Sequence, residues 1–323
     1  MKYTKTPLTL EQQADLLISR GMIGNRAQMI GRLGVVNYYR LSGYWFPFRA
    51  PNPADPTKPL DDFKPGTSFD EVWNRYVFDR RLRLLVMDVI ERIEIAIRTR
   101  LSFYHSHAHG PFAYGSDDAP SLPYLKQTDY GGFIGPVLSE TARSKETFVR
   151  HFQATYGDSH RYLPVWMVTE IMTFGTMLTF FRGVRGSIKS NIAAAFGVHD
   201  TVLDSWLLTL NTIRNICAHH GRLWNRELGV KPLIPAQAKH PHWHVPVLVR
   251  NDRVFGVLSI LKYSLDRIAP QSHWPIRLIA LLEEFPHVPR PSMGFPANWR
   301  KSPIWASTAP PNWGAVTSHG AGI

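Results

Sequence analysis

Cysteine is nearly absent: Cys217 is the only one in 323 residues. That excludes an internal disulfide framework and any Cys-rich zinc module, and it suits a reducing compartment. Acidic residues are also scarce, with 25 Asp and Glu against 37 Lys and Arg, which leaves a formal net charge of +12 and a pI near 9.9. Long apolar runs are missing too. The most apolar stretch, residues 163–181, is interrupted by Glu170 and several threonines, so no transmembrane helix is expected. The opening Met1-Lys2-Tyr3-Thr4-Lys5-Thr6-Pro7 lacks an apolar core, so no secretory signal is expected. There is no Walker loop, no Gly-rich dinucleotide fingerprint and no Gly-x-Ser-x-Gly elbow. What is present is ordinary globular composition, 44% hydrophobic and 19% charged, enough for one large domain or two small ones. A basic, soluble, cytoplasmic protein with a polyanionic partner is expected.

Helical patterning runs through most of the chain. Thr9-Leu10-Glu11-Gln12 is a capping-box pattern, followed by Leu10, Ala14, Leu17 and Ile18 at helical spacing and a stop at Gly21. Asn25 is placed to cap a second helix carrying Ile30, Leu33 and Val36. An aromatic block, residues 38–48, precedes a proline-rich loop over about 50–67. The clearest helix begins at Ser68, read as a capping box with Glu71, and keeps its apolar period through Leu84, Ile90, Ile93, Ile97 and Leu101 to about Tyr104. Residues 107–139 are rich in Gly, Pro and Asp and read as a long loop. Helices are predicted again over about 145–154, 165–181, 187–196, 202–220, 254–267 and 276–284. Val245-Pro246-Val247-Leu248-Val249 is the best strand candidate, an edge at most because of its proline. The reading is all-α, with one helical domain over 1–285. Residues 286–323 form a Pro- and Trp-containing tail, irregular or disordered.

The stretch from Leu203 to Arg226 carries the chemistry. On a helix, Trp206, Leu210, Ile213 and Cys217 share one side and form a core face. Arg214, Asn215 and His219 fall on the other, with Asn211 and Arg222 nearby, while His220 points back toward the core. Gly221 is placed to stop the helix. An imidazole can take a proton from a ribose 2′-hydroxyl or give one to a leaving 5′-oxygen. A guanidinium can hold the phosphate and offset charge growing on its oxygens, and an amide can orient either. The bland alternative is an Arg and a His solvating a helix end.

Arg214-Asn215-Ile216-Cys217-Ala218-His219-His220, followed by Arg222-Leu223-Trp224-Asn225, closely resembles the signature of the Abi-like (AbiD/AbiF) abortive-infection family. That family belongs to the HEPN (higher eukaryotes and prokaryotes nucleotide-binding) superfamily, whose ribonuclease motif is Arg, a polar residue, three residues, then His. Asn37-Tyr38-Tyr39-Arg40-Leu41-Ser42-Gly43-Tyr44 is similar to the family's N-terminal block. Phe78-Asp79-Arg80-Arg81-Leu82-Arg83 with Ile90-Glu91-Arg92-Ile93-Glu94 is similar to its long-helix block. Leu163-Pro164-Val165-Trp166-Met167 through Phe174-Gly175 is similar to its third. The resemblance covers about residues 7–232. It implies a HEPN-like helical bundle with additional helices, and a metal-independent endoribonuclease leaving 2′,3′-cyclic phosphate and 5′-hydroxyl ends. It also implies phage defence or a toxin–antitoxin role, a homodimer, and for some members a regulatory small noncoding RNA. Catalysis falls to Arg214, Asn215 and His219, with no cofactor and no metal, RNA as the partner, and no membrane association. The alternative from another class is a non-catalytic protein that holds a structured RNA; a protein-complex scaffold would need no RNA affinity.

Other groups stand as lesser candidates. His220 and Arg222 are supporting or RNA-binding candidates, as are Arg100 and His105, which repeat the Arg–His spacing at the end of the long helix. Leu101, not a polar residue, follows Arg100, which departs from the motif. His105, His107 and His109 alternate, as do His240, His242 and His244, and solvated loop histidines are the bland reading of both sets. Glu170 is expected to pair with a buried Arg, or to buttress the Arg214 site. The Arg80, Arg81 and Arg83 cluster is expected to pair within its helix, and Tyr38, Tyr39, Tyr44 and Trp45 are read as core aromatics or base-stacking groups.

Overall fold

The computed structural model describes residue 2 and residues 6–116 and 121–306. It is all-α, and the described residues contain isolated β-bridges but no strand. The helices are α1 (Leu10–Ser19), α2 (Arg26–Val35), α3 (Tyr38–Trp45), α4 (Phe69–His109), α5 (Gln127–Arg143), α6 (Thr147–Tyr156), α7 (Val165–Ile171), α8 (Phe174–Gly183), α9 (Gly186–Ala195), α10 (Asp200–Ala218), α11 (Val254–Ile268), α12 (Trp274–Glu284) and α13 (Pro303–Ala306). The chain forms two compact units. One comprises residues 1–83 and 278–289, the other residues 84–277 and 290–323, so the boundary falls inside α4 and again inside α12.

In the first unit, Thr9 and Gln12 make the expected capping box, and the Asn25 side chain caps α2 by accepting from the Gln28 N–H. Ala14, Leu17, Met29 and Leu33 are buried. At Ser68 the outcome differs from the expected box: its hydroxyl accepts from the Asp70 N–H at 3.1 Å, while Glu71 accepts from Arg75 at 2.9 Å. Asp79 is fully buried. It accepts from Tyr44 at 2.7 Å and from Arg83 at 2.6 Å, a satisfied polar centre inside an apolar unit. Arg83 thus pairs within its helix as expected, whereas Arg81 reaches Glu284. Tyr44 and Trp45 are core; Tyr39 is exposed.

The second unit contains the motif helix. α11 is buried on nearly every side from Val254 to Leu265, the signature of a central helix. Its one buried cation, Lys262, is held by Asp266 at 2.7 Å. Residues 290–306 pack Met293, Phe295, Trp299, Ile304 and Trp305 into this unit, and the Trp305 indole donates to the Ser259 hydroxyl at 3.0 Å. The rest of the proline-rich tail, including Trp313, lies outside the described residues.

Three expectations are corrected. The stretch 107–139 is not one long loop. α4 continues to His109, and α5 forms despite Gly131, Gly132, Gly135 and Pro136, because Tyr130, Phe133 and Val137 bury one face. Tertiary packing overrides weak propensity there. Second, the helix expected over 165–181 is two helices. Thr173 caps α8 by accepting from the Thr176 N–H, and Arg98 satisfies the end of α7 by donating to the carbonyls of Thr169, Glu170 and Met172 at 2.6–2.8 Å. Third, residues 245–249 form no strand. Among the described residues, no helix is long and apolar enough to cross a membrane.

Candidate active site

The site is built on the C-terminal end of α10. As expected, Trp206, Leu210, Ile213 and Cys217 are buried. This face packs the helix against its own unit and is tied down further by polar contacts. The Trp206 indole donates to the Leu233 carbonyl at 2.8 Å, and the Ser205 hydroxyl accepts from the Leu233 N–H at 2.6 Å. Leu223 and Trp224 are buried just beyond the helix. The chain leaving α10 is therefore fixed at both ends of the loop that follows.

On the opposite side, Arg214 is half-buried and Asn215 is exposed. The Arg214 Nη1 donates to Asn215 Oδ1 at 3.4 Å, and the His219 N–H donates to the Asn215 carbonyl at 2.9 Å. His219 is exposed and occupies the C-cap, with φ −87° and ψ 14°. Its imidazole stands where the carbonyl end of the helix projects negative potential. Asn211 lies one turn earlier, near Gly175 at the start of α8: its amide nitrogen is 3.9 Å from where a Cβ on Gly175 would stand.

The way the helix ends is the feature that sequence reading misplaces. Gly221 does not supply the left-handed residue. His220 does, with φ +57°, the only positive φ at a non-glycine among the described residues. The Gly221 N–H reaches the Ile216 carbonyl at 2.7 Å and the His220 N–H reaches the Cys217 carbonyl at 3.0 Å, a Schellman closure. Gly221 instead allows a close approach: a Cβ there would meet Ile216 Cγ2 at 3.1 Å and its carbonyl oxygen at 3.2 Å. Because the helix terminates at Ala218, His220 is exposed and does not turn back to the core as an ideal helix would place it. A histidine in a left-handed position costs backbone strain, and such strain clusters at functional sites. Arg222 is half-buried, and its carbonyl accepts from Arg226 Nε at 2.9 Å.

The second Arg–His pair does not resemble the first. Arg100 is half-buried, but His105 is fully buried, with its ring 5.0 Å from Phe180 and 5.3 Å from His109. Neither of its ring nitrogens has a hydrogen-bond partner. Burial, with a smaller contribution from His109, pushes its pKa down to about 4, so it is a neutral core histidine at physiological pH and is not presented to a solvent-borne phosphate. Glu170 is exposed, and Arg98 takes its backbone carbonyl, not its carboxylate; the expected pairing with a buried Arg is not made. Among the described residues, no group of three or more His, Cys, Asp or Glu is placed to hold a metal ion. Arg98 is the residue sequence reading passes over. It stands in the polar stripe of α4 like its neighbours, and only the break between α7 and α8 reveals its task.

Residues 32–225 match the family of Abi-like proteins. This span includes α3, α4 and the whole of α10, and it ends just beyond the buried Trp224. No curated protein and no solved structure matches the chain.

Proposed function

The chain belongs to the Abi-like protein family, which is one of abortive-infection phage defence, and from that premise we propose that it acts as a metal-independent endoribonuclease of HEPN type. His219 accepts the proton of a ribose 2′-hydroxyl. The 2′-oxygen attacks the adjacent phosphorus in line, the bond from phosphorus to the 5′-oxygen breaks, and an imidazolium returns a proton to that oxygen. Arg214 holds the phosphate and offsets the charge gathering on its oxygens, and Asn215 orients the guanidinium. The products are a 2′,3′-cyclic phosphate and a 5′-hydroxyl. Activity serves defence directly or as the toxin of a toxin–antitoxin pair, with a small noncoding RNA as a fitting restraint.

One observation carries this reading: Arg214, Asn215 and His219 occupy the solvent side of a helix end that is otherwise anchored in the core, with His219 released from helical register by the turn at His220. His219 stands five positions after Arg214, about 140° around an ideal helix. A homodimer with two such helix ends facing one another lets each copy supply an Arg and a His to a shared groove, one imidazole as base and the other as acid.

The test is cleavage of single-stranded RNA in EDTA, with the fragment ends identified. The expected result is undiminished cleavage and 2′,3′-cyclic phosphate ends. Activity lost to EDTA and restored by Mg²⁺ or Zn²⁺ contradicts the mechanism. RNA that is bound but never cut favours the RNA-holding alternative. Mixing Arg214→Ala with His219→Ala under subunit exchange tests the shared groove: partial recovery is expected, and a monomer that still cleaves removes it.

A further inference from the structure

A second cluster of chemistry-bearing groups lies outside the family match, where the 3-10 turn Pro241–Trp243 meets α11. The His240 and His242 rings are 5.7 Å apart, and His242 stacks on Tyr263 at 5.5 Å with the planes 14° from parallel. The Arg267 guanidinium lies 3.4 Å from the centre of the same Tyr263 ring, and its Nη1 donates to the Tyr263 carbonyl at 2.9 Å. The Tyr263 hydroxyl donates to the Gly197 carbonyl at 3.1 Å. Gly197 has φ +63°, and a Cβ on it would stand 2.6 Å from Arg267 Nε. The left-handed φ favours glycine here, and its absence of a side chain is what lets the guanidinium lie where it does. Arg267 is exposed yet fixed in place by an aromatic face, a carbonyl and a glycine.

The charges around these rings are mostly of one sign. Burial comes first in lowering the proton affinity of His240 and His242. Arg267 and Lys239 then act on His240, and His240, Arg267 and His244 act on His242. His244 points a ring nitrogen at the Pro235 carbonyl at 2.8 Å. The nearby carboxylate, Asp266, feels Arg267 but gives both of its oxygens to Lys262 at 2.7 Å. His242 Nε2 is enclosed with no hydrogen-bond partner. Such an arrangement is repulsive by itself and becomes favourable when an anion joins it.

We propose that Lys239, His240, His242 and Arg267 form a binding site for a phosphate group, carried either by an RNA backbone or by a small free phosphate compound. Arg267 is the preformed anchor and Lys239 the exposed second cation. The histidines take up protons as the anion arrives, so binding strengthens as pH falls. The cluster plays no part in the chemistry at Arg214 and His219, and it stands or falls separately from it.

Sulfate is the first probe, because its charge does not change between pH 7.5 and pH 5.5. Calorimetry on the full chain is expected to show sulfate binding about tenfold tighter at pH 5.5, since a proton taken up on binding changes affinity by up to about tenfold per pH unit. Arg267→Gln and His240→Gln are each expected to weaken it at least about fivefold. In the unaltered protein, the imidazole NMR signals of His240 and His242 are expected to move with added sulfate, a readout that does not depend on a variant folding. Equal affinity at both pH values, or His240 and His242 signals that ignore sulfate, would overturn the proposal. A single-stranded RNA oligonucleotide then separates the sources. RNA affinity that weakens in Arg267→Gln assigns the site to the RNA backbone. Unchanged RNA affinity alongside lost sulfate binding assigns it to a free phosphate compound.

Discussion

Two helices of this chain carry an arginine followed five positions later by a histidine, and the two histidines end in opposite environments. His105 is buried and neutral against Phe180, whereas His219 is exposed at a helix terminus. Spacing between Arg and His is the same; what differs is register against the apolar stripe. In α4, Ile97 and Leu101 are buried and His105 is the next member of that stripe, four residues on. In α10, Ile213 and Cys217 form the stripe and His219 falls two residues beyond it, where the helix has already stopped. α4 runs on to His109, so its histidine stays in register; α10 closes at His220 and frees its own. A motif defined by spacing therefore becomes a candidate site only when the helix ends beneath it.

Substitution can break or sharpen that contrast, starting from the largest expected effect. Arg214→Ala should lower RNA cleavage by about 10²–10³-fold, the usual loss when a group that stabilises transition-state charge is removed. Arg100→Ala should leave the rate within about threefold, because its histidine is not in solvent. Rates measured side by side under saturating RNA decide this, and equal losses would erase the distinction between the two helices.

The next effect concerns stability and pH. His105 titrates near 6.5 when unfolded and at about 4 when folded. Between those values the unfolded chain binds more protons, so stability rises with pH across this window, is complete above about 6.5, and is lost as pH falls toward 4. The full span is worth about 3 kcal/mol. His105→Leu removes the two unpartnered nitrogens and should flatten part of the acid slope while keeping or raising stability at pH 7. Denaturant unfolding at several pH values measures it. A large loss of stability at pH 7 would mean that the ring nitrogens have partners.

A smaller effect is expected at the turn itself. His220 holds a left-handed conformation, so His220→Gly should stabilise the chain by about 0.5–1 kcal/mol. Thermal unfolding reads this directly. A lower melting temperature would show that the His220 side chain contributes more than its strain costs.

Much of this is legible in the sequence. Helical patterning marks α4, α10 and α11, the capping residues Thr9 and Asn25 stand out, and spacing alone places the core face of α10 at Trp206, Leu210, Ile213 and Cys217. Two of the misreadings share a physical cause, a partner distant in sequence. α5 is hidden by its glycines and Pro136, and is held by Tyr130 and Phe133 against Tyr114 and Phe180. The break between α7 and α8 depends on Arg98, some 70 residues away. Leu84, placed in the apolar period, is 61% exposed. At the site, an ideal helical wheel sends His220 inward, because a wheel contains no helix end. Glycine at 221 suggested the stop, but its neighbour makes the turn and Gly221 serves close packing against Ile216.

The central claim is that the exposed histidine at the end of α10 is the reacting one. It is tested most directly by single-turnover RNA cleavage in EDTA by His219→Ala and His105→Leu, each checked for native folding by circular dichroism. The account predicts a loss of about 10²–10⁴-fold for His219→Ala, the range expected when a general acid or base is removed, with His105→Leu close to the parent. Cleavage retained by His219→Ala, or lost only in His105→Leu, would contradict it.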